Sequence, residues 1–185
     1  MLKTNAKSFA VGAGALMWGL LLPATLSSAP ANAYDIGGGR TTFERSPHLT
    51  RVAISNVASG PAIYHFTIIV PKDAGEPMQA VTITQQPNLE QIGFKLAKSS
   101  AFRGDSFAGG PSLSLANIGG SRTSDSNEVT VVFDQPVRPG NTVTISLKGS
   151  RPMYGGVYQF GVTAFPVGQN SPGLYLGSSS VTIPQ

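Results

Sequence analysis

The chain has 185 residues, with 13 Lys and Arg against 9 Asp and Glu, two His, 22 Gly, 14 Pro and no Cys, for a formal net charge of +4. That length accommodates one domain, or one domain and a processed segment, and 41% hydrophobic against 12% charged residues is enough apolar material for a core rather than a disordered chain. The absence of Cys excludes disulfide frameworks, thiolate zinc sites, iron–sulfur clusters, cysteine nucleophiles and lipid attachment at cysteine.

Residues 1–33 read as a secretory signal peptide. Lys3 and Lys7 form a short basic region, the run from Phe9 to Leu22 is apolar and uncharged, and a Pro/Ser/Ala-rich stretch ends in Ala31-Asn32-Ala33, with small residues at both positions that signal peptidase reads. The rival reading is an uncleaved membrane anchor. The run holds 14 residues, fewer than the roughly 20 that a spanning helix needs, and Gly12, Gly14 and Gly19 weaken it further. No later apolar run is long enough to span a bilayer. Cleavage after Ala33 leaves 152 residues with a net charge of +2 and removes Trp18, the only tryptophan.

From Tyr34 to Pro47 the sequence is glycine-rich and polar without periodicity, which predicts a flexible lead-in to a domain over 48–185. Thereafter the apolar residues recur with period two. Val52 and Ile54 share one face; Tyr64, Phe66, Ile68 and Val70 share the next, with Ile63, His65, Thr67 and Ile69 opposite, a segment apolar on much of both faces as in a central strand. The turn 71–77 leads to Val81 and Ile83, and Ile92, Phe94 and Leu96 predict another strand. The stretch 101–112 has loop composition, with Phe102 and Phe107 as candidates to fix it to the core. Leu113 and Leu115 give a short strand. Val129, Val131 and Phe133, then Val143, Ile145 and Leu147, predict two strands joined by a Pro/Gly connection, followed by Tyr158, Phe160, Val162 and Ala164, and by 174–176 and 181–183. No window keeps helical periodicity; the closest, NLEQIGFKLAKSS, is broken by Gly93 and Phe94. The expectation is all-β: a β-sandwich of eight or nine short, mainly antiparallel strands, immunoglobulin-like in architecture but without the Cys/Trp core, with a small β-barrel as the alternative.

The runs YHFTIIVPKDAGEPMQAVTITQ, IGFKLAKSSAFRG, VTVVFDQPVRPGNTVTISLK, YGGVYQFGVTAFPVG and LYLG resemble, in order, the exported family called domain of unknown function twenty-eight-oh-eight, known chiefly from cyanobacteria. The motifs span Val52 to Gly177, nearly all of the chain after the signal. The resemblance implies a cyanobacterial envelope or secreted protein and assigns no reaction, ligand or catalytic residue. The chain departs from the family after Leu147, where members often carry Asn-Pro and this sequence has Arg151-Pro152; the proline and the paired glycines still support a turn.

Candidate chemistry is sparse. Nucleophilic catalysis needs a nucleophile, a base and an orienting group, and no G-x-S-x-G elbow or S-x-x-K motif stands in a suitable context. His65 reads as a hydrogen-bonded sheet histidine and His48 as solvated. For copper, His48, His65, Met78 and Met153 are far apart with no H-x-H or M-x-x-M cluster. For calcium, Asp73 with Glu76, and Asp125 with Asn127 and Glu128, offer oxygens without EF-hand spacing. His65, His48, Asp73 and Glu76 are thus the weak metal candidates against a reading of no metal, no cofactor and no catalytic residue. The Lys and Arg after the signal are scattered among acids, giving no nucleic-acid footprint. Gly37-Gly38-Gly39 lacks the following residues of a phosphate loop. A glycan face would draw on Tyr154, Tyr158 and Tyr175, of which Tyr158 is in phase with the core.

The reading is a non-enzymatic, exported, envelope-associated structural or interaction domain whose working surface is loops 71–77, 103–111 and 149–156. Its alternative is a weak copper, calcium or glycan binder. The partner is an envelope protein or glycan. The periplasm is the expected compartment, with thylakoid lumen, outer envelope or secretion as alternatives. Intact mass measurement of the protein from its native host should give an N-terminus at Tyr34; retention of residues 1–33 indicates an anchor instead.

Overall fold

The computed structural model describes residues 34–35, 38–55, 61–119 and 127–184. The signal-peptide reading of 1–33 and the candidate Asp125 lie outside them. Among the described residues the strands are β1 (Tyr34–Asp35), β2 (Thr41–Thr42), β3 (His48–Ser55), β4 (Ala62–Ile69), β5 (Met78–Gln85), β6 (Ser100–Arg103), β7 (Ser112–Leu113), β8 (Leu115–Gly119), β9 (Glu128–Val137), β10 (Thr142–Gly149), β11 (Gly156–Pro166) and β12 (Leu174–Ile183), with one 3-10 turn at Leu96–Lys98. They form two five-stranded sheets, β3-β4-β10-β6-β7 and β12-β11-β5-β9-β8, and a β1-β2 ribbon. Every pairing is antiparallel. The architecture is a β-sandwich rather than the alternative barrel.

Alternation fixes which face is inside. In the first sheet Tyr64, Phe66 and Ile68 stand opposite Leu147, Ile145 and Val143, and all six are fully buried. In the second, Val162 and Ala164 stand opposite Ile83 and Val81, again fully buried. Phe160 joins the layers: its ring lies 5.4 Å from Phe66, edge to face, and 5.9 Å from Tyr64. Such contacts add to area burial about 0.5–1.5 kcal/mol each.

Four local expectations change. The segment 92–96 is not a strand but an isolated Phe94–Gly149 bridge followed by the 3-10 turn. Two of its backbone donors are taken by side chains, Ile92 N–H by Gln85 Oε1 at 2.9 Å and Gly93 N–H by Ser150 Oγ at 2.9 Å, which leaves the short backbone pairing of Lys95 N–H with Lys148 O and Ser150 N–H with Gly93 O instead of a ladder. Ser100–Arg103, inside the glycine-rich stretch read as loop, is β6, recruited by β10. Residues 174–176 and 181–183 belong to one strand, β12, carried past a register shift at Val162/Thr163. Finally, the lead-in is tied down from residue 39 onward. Gln169 N–H donates to Gly39 O at 3.1 Å and Glu44 N–H to Ala74 O at 2.9 Å, while the Thr41 hydroxyl donates to Val167 O. Backbone and hydroxyl contacts of this kind leave no periodic signal in a sequence.

Phe66→Ala removes the ring shared by the two layers and should destabilise by about 3–5 kcal/mol in denaturant unfolding, whereas Lys98→Ala on the exposed 3-10 turn should stay within about 0.5 kcal/mol.

Candidate functional site

One end of the sandwich is built from two connections, 86–94 and 149–156. Both are held from below by side chains that rise out of the core. The Tyr64 hydroxyl donates to Ser150 O at 2.9 Å and the Tyr158 hydroxyl to Tyr154 O at 2.9 Å. Burial first, then Tyr158 and Glu90 for Tyr64 and Glu90 for Tyr158, raises the ionisation of both phenols above the ordinary tyrosine value, so they stay protonated donors. Gln85, also buried, donates to Glu90 O at 2.8 Å while accepting from Ile92 N–H.

The two connections are then cross-tied. The Glu90 carboxylate accepts Met153 N–H at 2.7 Å and Tyr154 N–H at 3.4 Å, and the Asn88 amide donates to Val157 O at 2.8 Å. What this rigid frame presents is apolar: Leu89 is 91% exposed, Met153 88%, Tyr154 62% and Val157 60%. Large apolar side chains clustered on hydrogen-bonded backbone form a surface suited to a partner. The sequence reading found half of it. It points to loop 149–156 but not to 86–91, where the available signal is Asn88-Leu89 after Pro87, an apolar residue inside turn chemistry.

The other two loops are occupied internally. In 71–77, Asp73 pairs with Arg45 at 2.8 Å and both are exposed. Glu76 is buried beside Glu44, and burial first, then the neighbouring carboxylate, raises its ionisation. Gly75 has φ +74, and a Cβ there would lie 2.7 Å from Glu44 Cγ, so the turn accepts only glycine. In 103–111 the chain folds back over the outer face of the first sheet. Phe102 stands opposite Thr144, on that outer face rather than in the interlayer core. Phe107 stacks on His65 with ring centroids 4.4 Å apart, and the Arg51 guanidinium lies 3.8 Å from the Phe107 centroid while donating to Asp105 O at 2.6 Å.

His65 lies beneath this flap. Its Nε2 is 2.9 Å from Ser55 Oγ and its Nδ1 is 2.8 Å from Ser146 Oγ, one nitrogen donating and the other accepting in the neutral ring. A serine against an imidazole is half of a nucleophilic triad, but the second nitrogen meets a hydroxyl instead of a carboxylate. Burial and the Arg51 charge both disfavour an imidazolium, pushing the ring below its ordinary value of 6.5. The ring is therefore held in its neutral form between two serine hydroxyls, without the carboxylate that completes a triad. His48, exposed at the start of β3, stands opposite Ile69, four residues along β4 from His65 and so roughly 13 Å away. Met78 is fully buried in the core and Met153 is at the exposed end. The four candidates for metal therefore occupy separate places: His65 under the flap, His48 at a strand end, Asp73 and Glu76 in a turn where one is paired with arginine. Among the described residues no group of three or more His, Asp or Glu converges. A groove of about 810 Å³ between β6–β7 and β8 is lined by Leu96, Leu113, Leu115, Ile118 and small or amide residues, with no titratable group for acid–base work.

The linkage sign for His65 is definite. Because the folded ring binds its proton less readily than the unfolded one, the unfolded state gains protons first as pH falls through 6.5. Stability is therefore full above that pH and declines below it, toward the depressed folded value. The difference in unfolding free energy between wild type and His65→Gln should show this decline between pH 7 and 5, and the His65 ring protons followed by nuclear magnetic resonance should titrate below 6.5.

No curated protein matches the chain. Among solved structures, the collagen-binding domain of a Staphylococcus aureus adhesin overlaps at TM-score 0.40 and 10% identity, over 76% of this chain and 98% of that one. The collagen-binding subdomain of the Enterococcus faecalis surface protein ACE overlaps at TM-score 0.45 and 9% identity, over 75% and 99%. Overlap at these scores is loose. The family comparison is direct: residues 40–183 match the model described as protein of unknown function (DUF2808), from the tethered lead-in to the end of β12, and the chain belongs to that family.

Proposed function

We propose that this chain is an exported, envelope-associated interaction module without catalytic activity. Its binding end is the frame of 86–91 and 150–157. The observation that carries the reading is the pairing of rigid backbone with exposed apolar side chains. Tyr64, Tyr158, Gln85 and Glu90 hold the two connections through six hydrogen bonds, so that Leu89, Met153 and Tyr154 are presented in a fixed arrangement. Preorganisation of that kind lowers the ordering cost of association, and an aromatic with aliphatic neighbours is the composition of an interface centre.

Export is supported by the three-part segment ending at Ala33. Among the described residues no helix is long and apolar enough to cross a membrane. The serine–histidine contact is buried and lacks its acid, which supports a binding rather than a catalytic role. Of the three loops expected to form the working surface, 149–156 carries the proposal, while 71–77 and 103–111 are spent on internal contacts. The periplasm is the proposed compartment, on the strength of the export segment, with the thylakoid lumen, outer envelope or secretion as alternatives.

The test is capture from a detergent extract of the host envelope by the tagged chain, beside a Leu89→Ser/Met153→Ser/Tyr154→Ser variant. The wild type should retain a defined partner after crosslinking and the variant should lose it, with thermal unfolding of the two agreeing to within a few degrees. Equal retention by both, or nothing above background for the wild type, removes this end as the binding surface.

A further inference from the structure

The outer face of the second sheet carries a feature that the apolar end does not use. The ladder between β11 and β12 slips by one residue at Val162/Thr163, with Gly177 at φ +104, a left-handed conformation suited to glycine. Before the slip Ser178 and Ser180 stand opposite Gly161 and Gln159, facing outward. Regular alternation would continue with Tyr175 inward. The slip instead sets Tyr175 opposite Thr163 on the outer face, while Leu176 packs against the core.

Once outside, the tyrosine is seated. A Cβ at Gly161 would lie 3.1 Å from Tyr175 Cε2, 3.2 Å from its hydroxyl and 3.2 Å from Gln86 Nε2. The phenol therefore lies against a glycine on the neighbouring strand, beside the amide of Gln86, the first residue after β5. The residue is nonetheless 58% exposed. Around it the face is amide and hydroxyl: Gln159 donates to Ser178 Oγ at 2.8 Å, and Thr84 stands opposite Gly161. Glu128, opposite Thr84, is the acidic group of that ladder, and no lysine or arginine pairs into it.

From this geometry we infer that the Tyr175 platform is a binding subsite for an uncharged saccharide chain. An exposed aromatic ring held at one edge against a sheet leaves ring surface to receive the C–H face of a pyranose. Uncharged amides and hydroxyls at the ring's margin exchange hydrogen bonds with sugar hydroxyls, and neither a polyanion nor a polycation finds complementary charge. Glu128 accepts from sugar hydroxyls and repels uronate, sulfate and phosphate groups. The face also carries Val157 and Phe165, at opposite ends of β11, so the amide and hydroxyl margin is the part next to the Tyr175 ring. The subsite adjoins the apolar end, sharing Gln86 with its frame, but uses none of Leu89, Met153 and Tyr154.

Native gels containing hydroxyethylcellulose, glucomannan or laminarin, with alginate as the anionic comparator, test it on the full chain. At least one neutral polymer should retard the wild type, and alginate should not. Tyr175→Ala should weaken the interaction about tenfold or more, corresponding to about 1.4 kcal/mol, with Tyr175→Phe keeping most of it. Gly161→Ala, which lifts the ring from its seat, should weaken it as well. Gln159→Ala gives an independent reading should Tyr175→Ala lower the unfolding temperature. The Leu89/Met153/Tyr154 variant should be retarded like the wild type, so loss of the protein partner and loss of the saccharide separate. The inference is overturned by no retardation in any neutral polymer, by retardation that Tyr175→Ala and Gln159→Ala both keep, by stronger retardation in alginate, or by Tyr175-dependent self-association on size exclusion without retardation, which would assign the face to a second copy of the chain.

Discussion

Phe160 packs edge to face on Phe66 and tilted on Tyr64, and this contact ties the sheet containing β11 to the sheet containing β4. With no cysteine available, the two layers are held by side-chain packing of this kind and by the ladders within each sheet. The ring cluster extends to Phe94, 5.5 Å from Tyr64 and edge to face, so the 86–94 connection is packed onto the same aromatic group that closes the core. Gly149 makes that possible: a Cβ there would lie 2.9 Å from Ile92 Cγ2, 3.0 Å from Tyr64 Cε2 and 3.1 Å from Phe94 Cδ1.

Tyr64 thus has two duties with one physical origin. Its ring fills the interlayer space, and its hydroxyl, too costly to bury unpaired, finds the carbonyl of Ser150. Tyr158 repeats the arrangement on the other sheet with the carbonyl of Tyr154. A core built from phenylalanine alone would pack similarly but leave 150–154 without its supports. The polar tips of two core residues therefore convert interior packing into a rigid surface, and the exposure of Leu89, Met153 and Tyr154 follows from a backbone that cannot collapse to bury them.

The outer faces of the two sheets differ for an equally local reason. On the first, the flap at 103–111 is fastened by the Phe107–His65 stack, and Thr144 Oγ1 donates to Gly104 O at 2.7 Å. The polar sheet residues beneath it have their partners within the protein. On the second face the 167–173 connection reaches the outer side only at Gly173, against Phe165 and Thr163, and Gln159, Ser178 and Tyr175 are exposed. One sandwich thus has a covered face, a partly open face and an apolar end.

Period-two alternation made the sandwich legible in the sequence. The inward sets Tyr64/Phe66/Ile68 and Tyr158/Phe160/Val162 follow from the pleat alone, and the buried, hydrogen-bonded state of His65 follows from its place on the opposite face of an apolar strand. Residues 92–96 were misread because the acceptors that stop a ladder there, Gln85 Oε1 and Ser150 Oγ, come from elsewhere in the chain. Half of the apolar end was missed because Leu89 meets Met153 only through Glu90, whose carboxylate reaches 63 residues onward. The outward turn of Tyr175 depends on a one-residue slip that alternation cannot anticipate. Sequence by itself determined the fold class and the inward faces, since both depend on the two-residue repeat of a strand. The tertiary structure alone decided which loops are free, which tyrosine is exposed and what the histidine touches, because each is fixed by a contact between residues distant in the chain.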